Sequence, residues 1–249
     1  MNAADVVTAV TGTVDYLRIP LGSADGMWHR CDDLVRDADE LGRLVASSRS
    51  GRGTDRDDVA VSLFVQGYAF RVASAAVGAW LVADSVLDVS PSNTSIGWGR
   101  SRPNALLLHD ARLVTGDDPL ATLHRVLVDE HLALLVDNAR RVCRVGAPLL
   151  WGNVAASIAS SFGAFMDPLP HRRADIGDRL RAFLGTARPE LASTGRVAPV
   201  GSRWAWERRT CCLWYKTDSG FRCEDCSLWS DDERQARYAA AVAAEEGSA

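Results

Sequence analysis

Four of the six cysteines fall within sixteen residues near the end of the chain: Cys211, Cys212, Cys223 and Cys226, spaced C-C-x10-C-x2-C. Each thiolate is a soft ligand, and a closed set of four suits a zinc ion or an iron–sulfur cluster. A C-x2-C pair is a common metal clip, because a tight turn brings both sulfurs to one side. The adjacent pair Cys211-Cys212 needs a local backbone turn, since neighbours on an extended segment point to opposite sides. Gly220, between the two halves, lets the chain fold back at low steric cost. Three chemistries are open to these residues: a disulfide pair, a structural zinc knuckle and a [2Fe–2S] cluster. A disulfide is disfavoured because the N-terminus, Met1-Asn2-Ala3-Ala4-Asp5, lacks the basic start and apolar run of a secretion signal. Zinc is disfavoured because its sites usually offer two separated C-x2-4-C clips, and one is present here.

The run Arg208-Arg209-Thr210-Cys211-Cys212-Leu213-Trp214-Tyr215, closed by Cys223-Glu224-Asp225-Cys226, resembles the C-terminal signature of FhuF-like ferric-siderophore reductases. Upstream, Leu150-Trp151-Gly152-Asn153-Val154-Ala155 is similar to that family's central W-G-N-x-A stretch. The resemblance implies a [2Fe–2S] cluster on Cys211, Cys212, Cys223 and Cys226. It also implies an activity: reduction of Fe(III) to Fe(II) in a ferric siderophore, of the hydroxamate type, with release of iron inside the cell. Hard oxygen chelators hold Fe(III) far better than Fe(II), so one electron loosens the complex. The chain shows no G-x-G-x-x-G and no Ser-His-Asp signal, so a separate electron-donor protein is expected. Trp98, Trp151 and Asn153 are the expected siderophore contacts. The alternatives are a non-enzymatic zinc knuckle, or a [2Fe–2S] electron carrier or redox sensor.

Charge and composition narrow the partners. The chain has 249 residues, a formal net charge of −4, 47 % hydrophobic and 24 % charged residues. That is an ordinary globular composition with no electrostatic case for nucleic acid. No polybasic stretch marks a membrane anchor. Arg71, Asp84 and Arg140 interrupt the apolar runs, so no stable membrane insertion is expected. The expected compartment is the cytoplasm, whose reducing conditions suit four metal-binding thiols. Around the cysteines, Arg203, Arg208, Arg209, Lys216 and Arg222 nearly balance Glu207, Asp218, Glu224 and Asp225.

The elements that must hold these residues read as mainly α (α+β). A helical bundle-like body with a small antiparallel β insertion occupies residues 1–200, and a C-terminal cysteine-rich module occupies 201–249. Helices are expected from Asp5 to Leu17, from Asp32 to Ala46 and from Val59 to Ala83. More follow from Asp117 to Val142, from Leu149 to Phe165, from Ala174 to Gly185 and from Ser230 to Glu245. Thr54 and Asp57 have capping form before the third helix, as do Ser230 and Glu233 before the last. Gly26, Met27 and Trp28 read as a loop. Residues around 86–109 read as short strands, with Pro103-Asn104 in a turn. Pro189 to Gly201 reads as a linker. His124 and His131, seven apart on one helix, share a face by helical period. Trp204, Trp206, Trp214 and Trp229 crowd the cysteine module, where they anchor it or shield its centre. Cys31 and Cys143 read as buried free thiols.

Overall fold

The computed structural model describes residues 1–186, 188–200 and 203–246. Its architecture is mainly α with small antiparallel sheets. The chain opens with α1 (Ala3–Thr13), β1 (Met27–Arg30), α2 (Cys31–Arg36), α3 (Ala38–Gly51) and α4 (Asp57–Ala83). Then come β2 (Val86–Leu87), β3 (Thr94–Gly99), β4 (Arg102–Leu108) and β5 (Leu113–Val114). A long helix follows in three parts: α5 (Pro119–Leu123), a π-helical segment (His124–Leu132) and α6 (Ala133–Val142). The last elements are α7 (Ala147–Gly163), α8 (Arg173–Thr186), α9 (Pro189–Ala192), β6 (Gly195–Val200), β7 (Arg203–Arg208) and α10 (Asp231–Glu246).

The body is built on α4. Its residues from Val59 to Leu81 are apolar on nearly every side and buried, so neighbours must cover it all round. By length and hydropathy α4 is also able to cross a membrane, but 78 % of its apolar window is buried inside the fold. Its main partner is α7, whose small residues Gly152, Ala155, Ala156 and Ala159 bring the two backbones close. Between these helices the Ser74 and Ser161 hydroxyls pair at 3.0 Å, and Ser157 Oγ donates to the Gln66 carbonyl at 2.8 Å. On another side α2, α3 and α6 form a layer joined by Asn138, whose Nδ2 donates to the Leu34 and Asp37 carbonyls.

Several local expectations are corrected. The helix expected from Asp32 to Ala46 is broken at Asp37, which sits in extended geometry and accepts from the Asp39 and Glu40 amides. A good N-cap in mid-run wins over helical continuity. Thr54 does not cap α4; its hydroxyl accepts from the Arg56 amide, and Arg56 is the N-cap. Met27 and Trp28 are not in a loop but in β1, which pairs antiparallel with β3. The turn between β3 and β4 is Arg100-Ser101, both with positive φ (52° and 55°), not Pro103-Asn104. Pro103 lies inside β4, an edge strand where its missing N–H costs nothing. The expected linker 189–201 is instead α9 and β6, and β6 pairs with β7 in a hairpin. Gly201 lies outside the described residues. The long helix does start at Asp118-Pro119, with Asp118 accepting from Leu120 and Ala121. Its π segment gives the two histidines separate surroundings. His124 stacks on Phe183 at 4.0 Å, whereas His131 is buried against Tyr68. At the end of the chain Ser230 and Glu233 form the expected reciprocal box. Cys31 is a buried free thiol as expected, while the free thiol of Cys143 is half-buried.

Candidate metal centre and the cavity beside it

The two stretches singled out in the sequence meet in space. Thr210 lies so close to α7 at Gly152 that any Cβ there would collide with its side chain; glycine at 152 is what lets the cysteine segment dock. One residue on, Asn153 is fully buried and both ends of its amide are used. Its Nδ2 donates to the Ser62 carbonyl at 2.8 Å and to Ser62 Oγ at 2.7 Å, and its Oδ1 accepts from Arg208 Nη2 at 2.6 Å. Ser62 Oγ in turn donates to the Cys212 carbonyl at 2.7 Å. A continuous polar chain thus runs from α4 through α7 to the cysteine loop. A second tie joins the Asp218 amide to the Gly53 carbonyl beyond α3, at 2.9 Å.

Arg208 is the largest fully buried side chain of the protein, 1 % exposed. Its Nε donates to the Thr210 carbonyl at 2.7 Å. Its Nη1 lies 3.8 Å from Asp225 Oδ2, and it and Thr210 Oγ1 are buried with no hydrogen-bond partner. A buried cation with a free N–H calls for a nearby anion.

The thiols provide one. Cys212 and Cys223 bring their sulfurs to 3.4 Å. The Leu213 amide donates to Cys211 Sγ at 3.4 Å. The Cys212 thiol is driven strongly down in pKa by hydrogen bonding from Cys211, then by that from Cys223, with a further contribution from Arg208. Cys211 and Cys223 move the opposite way, chiefly because each donates to Cys212, and Cys226 also lies within electrostatic reach of Cys211. Burial raises the Asp225 carboxyl and Arg208 opposes that rise. Among the described residues no three His, Cys, Asp or Glu side chains close around one ion position. The donor set nonetheless fits a soft centre: all four candidate donors are thiols, and the 3.4 Å pair is near the ~3.8 Å between two thiolates on one tetrahedral metal. A four-thiolate centre is net negative, which suits the buried Arg208 charge. Trp229 supports the same loop, its Nε1 donating to the Cys223 carbonyl at 3.0 Å, with Arg237 over its ring at 3.8 Å.

Beside the sulfurs is a cavity of about 360 Å³ between α4, α7 and the cysteine loop. Cys212 and Cys223 form part of its wall, with Leu63, Phe70, Trp214 and Phe221 as its apolar sides and Arg52 at its edge. A second cavity of about 460 Å³ lies across Phe221 and shares Cys223, but carries Glu224 and Asp225. Phe221 is 67 % exposed, a large apolar ring in water at the mouth of both.

The expected siderophore contacts lie elsewhere. Trp98 is half-buried on β3, 5.9 Å from Phe64 and 6.3 Å from His29. Trp151 is buried beneath Arg188, at 5.3 Å. Asn153 is spent on Ser62 and Arg208. Neither cavity is lined by any of the three. The residues that do line the first cavity, Gln66, Phe70 and Ser160 among them, were missed because no motif marks them. The small-residue face of α7 was the one signal in the sequence. Of the four tryptophans, Trp206 is in the core, Trp204 packs on α8 under Arg181, Trp229 holds the loop and Trp214 faces the cavity. No family model matches the chain, and no curated protein matches it.

Proposed function

We propose that the chain is a ferric-siderophore reductase. Cys211, Cys212, Cys223 and Cys226 hold a [2Fe–2S] cluster, and the protein works in the cytoplasm, where thiols stay reduced. The observation that carries this reading is the cavity walled by Cys212 and Cys223: a chelate seated there lies against the ligand sulfurs. When bound, the cluster supplies the single electron that converts the substrate's Fe(III) to Fe(II), replenished by a separate donor protein. Arg208 opposes the negative charge of the centre from a buried position. Asn153 and Ser62 fix the loop in register with the body. Leu63, Phe70 and Trp214 keep water from the inner wall. No acid–base pair is needed, because the chelator is released once its metal is softened.

Anaerobic purification, a visible spectrum and an iron, sulfide and zinc assay test this. The expected result is a red-brown protein with about two irons and two sulfides per chain, bleached by dithionite. Such a protein would reduce a ferric trihydroxamate when given a reductant. A colourless protein with one zinc and no sulfide overturns the reading in favour of a zinc knuckle. A cluster-bearing protein that neither binds nor reduces any ferric chelate is an electron carrier or sensor.

A further inference from the structure

Arg52, Arg71 and Arg102 belong to the arginines of this fold that have no carboxylate partner. Among the described residues none of the three makes an ion pair, and Arg52 Nε and Arg71 Nε are buried with no hydrogen-bond partner. The three repel one another through Arg102, which depresses the pKa of both Arg52 and Arg71 after burial has done so first. They are brought together by separate elements. Arg52 follows α3 and stacks on Trp214 at 5.0 Å, lining the cavity beside Cys212 and Cys223. Arg71 follows the cavity residue Phe70 on α4. Arg102 opens β4, next to Pro103, which packs on the cavity residue Gly67.

Two further facts show that this gathering is maintained at a cost. The β3–β4 turn that brings in Arg102 places Arg100 and Ser101 at positive φ, where Asn-Gly would be unstrained. That strained tip is packed on the end of α3, where a Cβ at Gly51 would collide with Ser101. Glu224 and Asp225 line the other cavity, and Asp218, whose carboxylate packs against Gly53 next to Arg52, is exposed to solvent and makes no ion pair with it. Arg52 at the edge of the cavity, with Arg71 and Arg102 behind it, forms a cationic group that an anion with several oxygens would stabilise.

We propose that the cavity beside Cys212 and Cys223 selects ferric chelates of net negative charge, with Arg52 at its edge as the contact and Arg71 and Arg102 adding positive charge beside it. This rests on the reductase reading and narrows it. A ferric trihydroxamate is neutral, three negative ligands balancing Fe(III). A citrate-bridged dihydroxamate or a catecholate complex carries extra anionic oxygens outside the metal's charge balance, and those oxygens would meet the arginines.

Gallium(III) matches Fe(III) in charge and ligand preference but is not reduced under mild reductants, so binding can be measured without turnover. The probes are the gallium complexes of a neutral trihydroxamate and of a net-negative citrate-bridged dihydroxamate. They are titrated into purified protein whose iron, sulfide and zinc are assayed on the same sample, with the heat of binding as the signal. The anionic complex is expected to bind at least about tenfold more tightly at low salt, and its advantage shrinks as salt rises. R52Q should weaken the anionic complex about tenfold or more, the size of one lost charge-assisted hydrogen bond, and weaken the neutral one by much less, through the lost stacking on Trp214. R102Q should weaken the anionic complex alone, and because Arg102 is exposed this variant keeps the packing intact. Equal or tighter binding of the neutral complex overturns the proposal, as do variants that weaken both complexes alike or a protein that binds neither. The two readings separate cleanly. Cluster-bearing protein that reduces neutral and anionic ferric chelates at one rate keeps the reductase and removes the anion site. Zinc-loaded protein that still binds the anionic complex through Arg52 and Arg102 does the reverse.

Discussion

His131 carries no charge in the folded protein. Its ring is fully buried, Nδ1 donating to the Val89 carbonyl at 2.5 Å and Nε2 accepting from the Tyr68 hydroxyl at 2.7 Å. Burial pushes its pKa down to about 4. The unfolded chain takes up this proton near pH 6.5 and the folded one only near 4, so this contribution is complete above pH 6.5 and is lost as pH falls towards 4. Its size is on the order of 3 kcal/mol. Urea midpoints between pH 7 and pH 4 should fall accordingly, and H131N should flatten that slope while lowering stability at pH 7. Asn153 is the second informative residue. N153A leaves the buried Arg208 Nη2 and the Ser62 hydroxyl without their partner, a loss of about 3 kcal/mol, read by chemical denaturation together with reduced metal content. That Asn153 matters was legible in the sequence, where it stands as an expected siderophore contact. That the partner is Arg208, 55 residues further on, was not, because no local pattern encodes a pairing between two elements.

Among elements, the contact between α7 and the cysteine segment gives the sharpest test. In a helix interior, glycine to alanine gains about 1 kcal/mol of helix propensity, so G152A favours α7 itself. It also collides with Thr210, so the expected outcome is unchanged or increased helical circular dichroism with loss of the proposed iron and sulfide. Metal retained at wild-type level in G152A would show that the docking of Thr210 does not hold the loop. The strained turn offers the opposite experiment: replacing Arg100-Ser101 by Asn-Gly should raise stability by about 1–2 kcal/mol, measured as thermal midpoint, by relieving two left-handed residues. The long helices α4, α7, α8 and α10 were readable from sequence, α4 as an almost wholly apolar run and the others from their apolar spacing and end signals. The break at Asp37, the π segment and the β6–β7 hairpin were not. The π segment and the hairpin depend on tertiary partners, Tyr68 and Val89 holding His131 and Trp206 packing into the core, whereas the break is made locally by the Asp37 cap, which the apolar spacing on either side masked.

At the scale of the whole molecule, the cysteines announced themselves by spacing while their surroundings did not. The cavity is assembled from α3, α4, α7 and the cysteine loop, with the β3–β4 turn packed beside it, and no stretch of sequence contains more than a piece of it. The anchors of the loop are equally remote: Ser62 reaches the Cys212 carbonyl across 150 positions and Asn153 reaches Ser62 across 91. The surface that receives the loop is made of both helices, through Ser62 and Asn153. Helices α4 and α7 must therefore already be packed together before residues 208–226 have anywhere to dock. A centre held by the thiols would then sit in a loop laid onto the body from outside, and its removal is expected to loosen residues 208–226 before it disturbs α4 and α7.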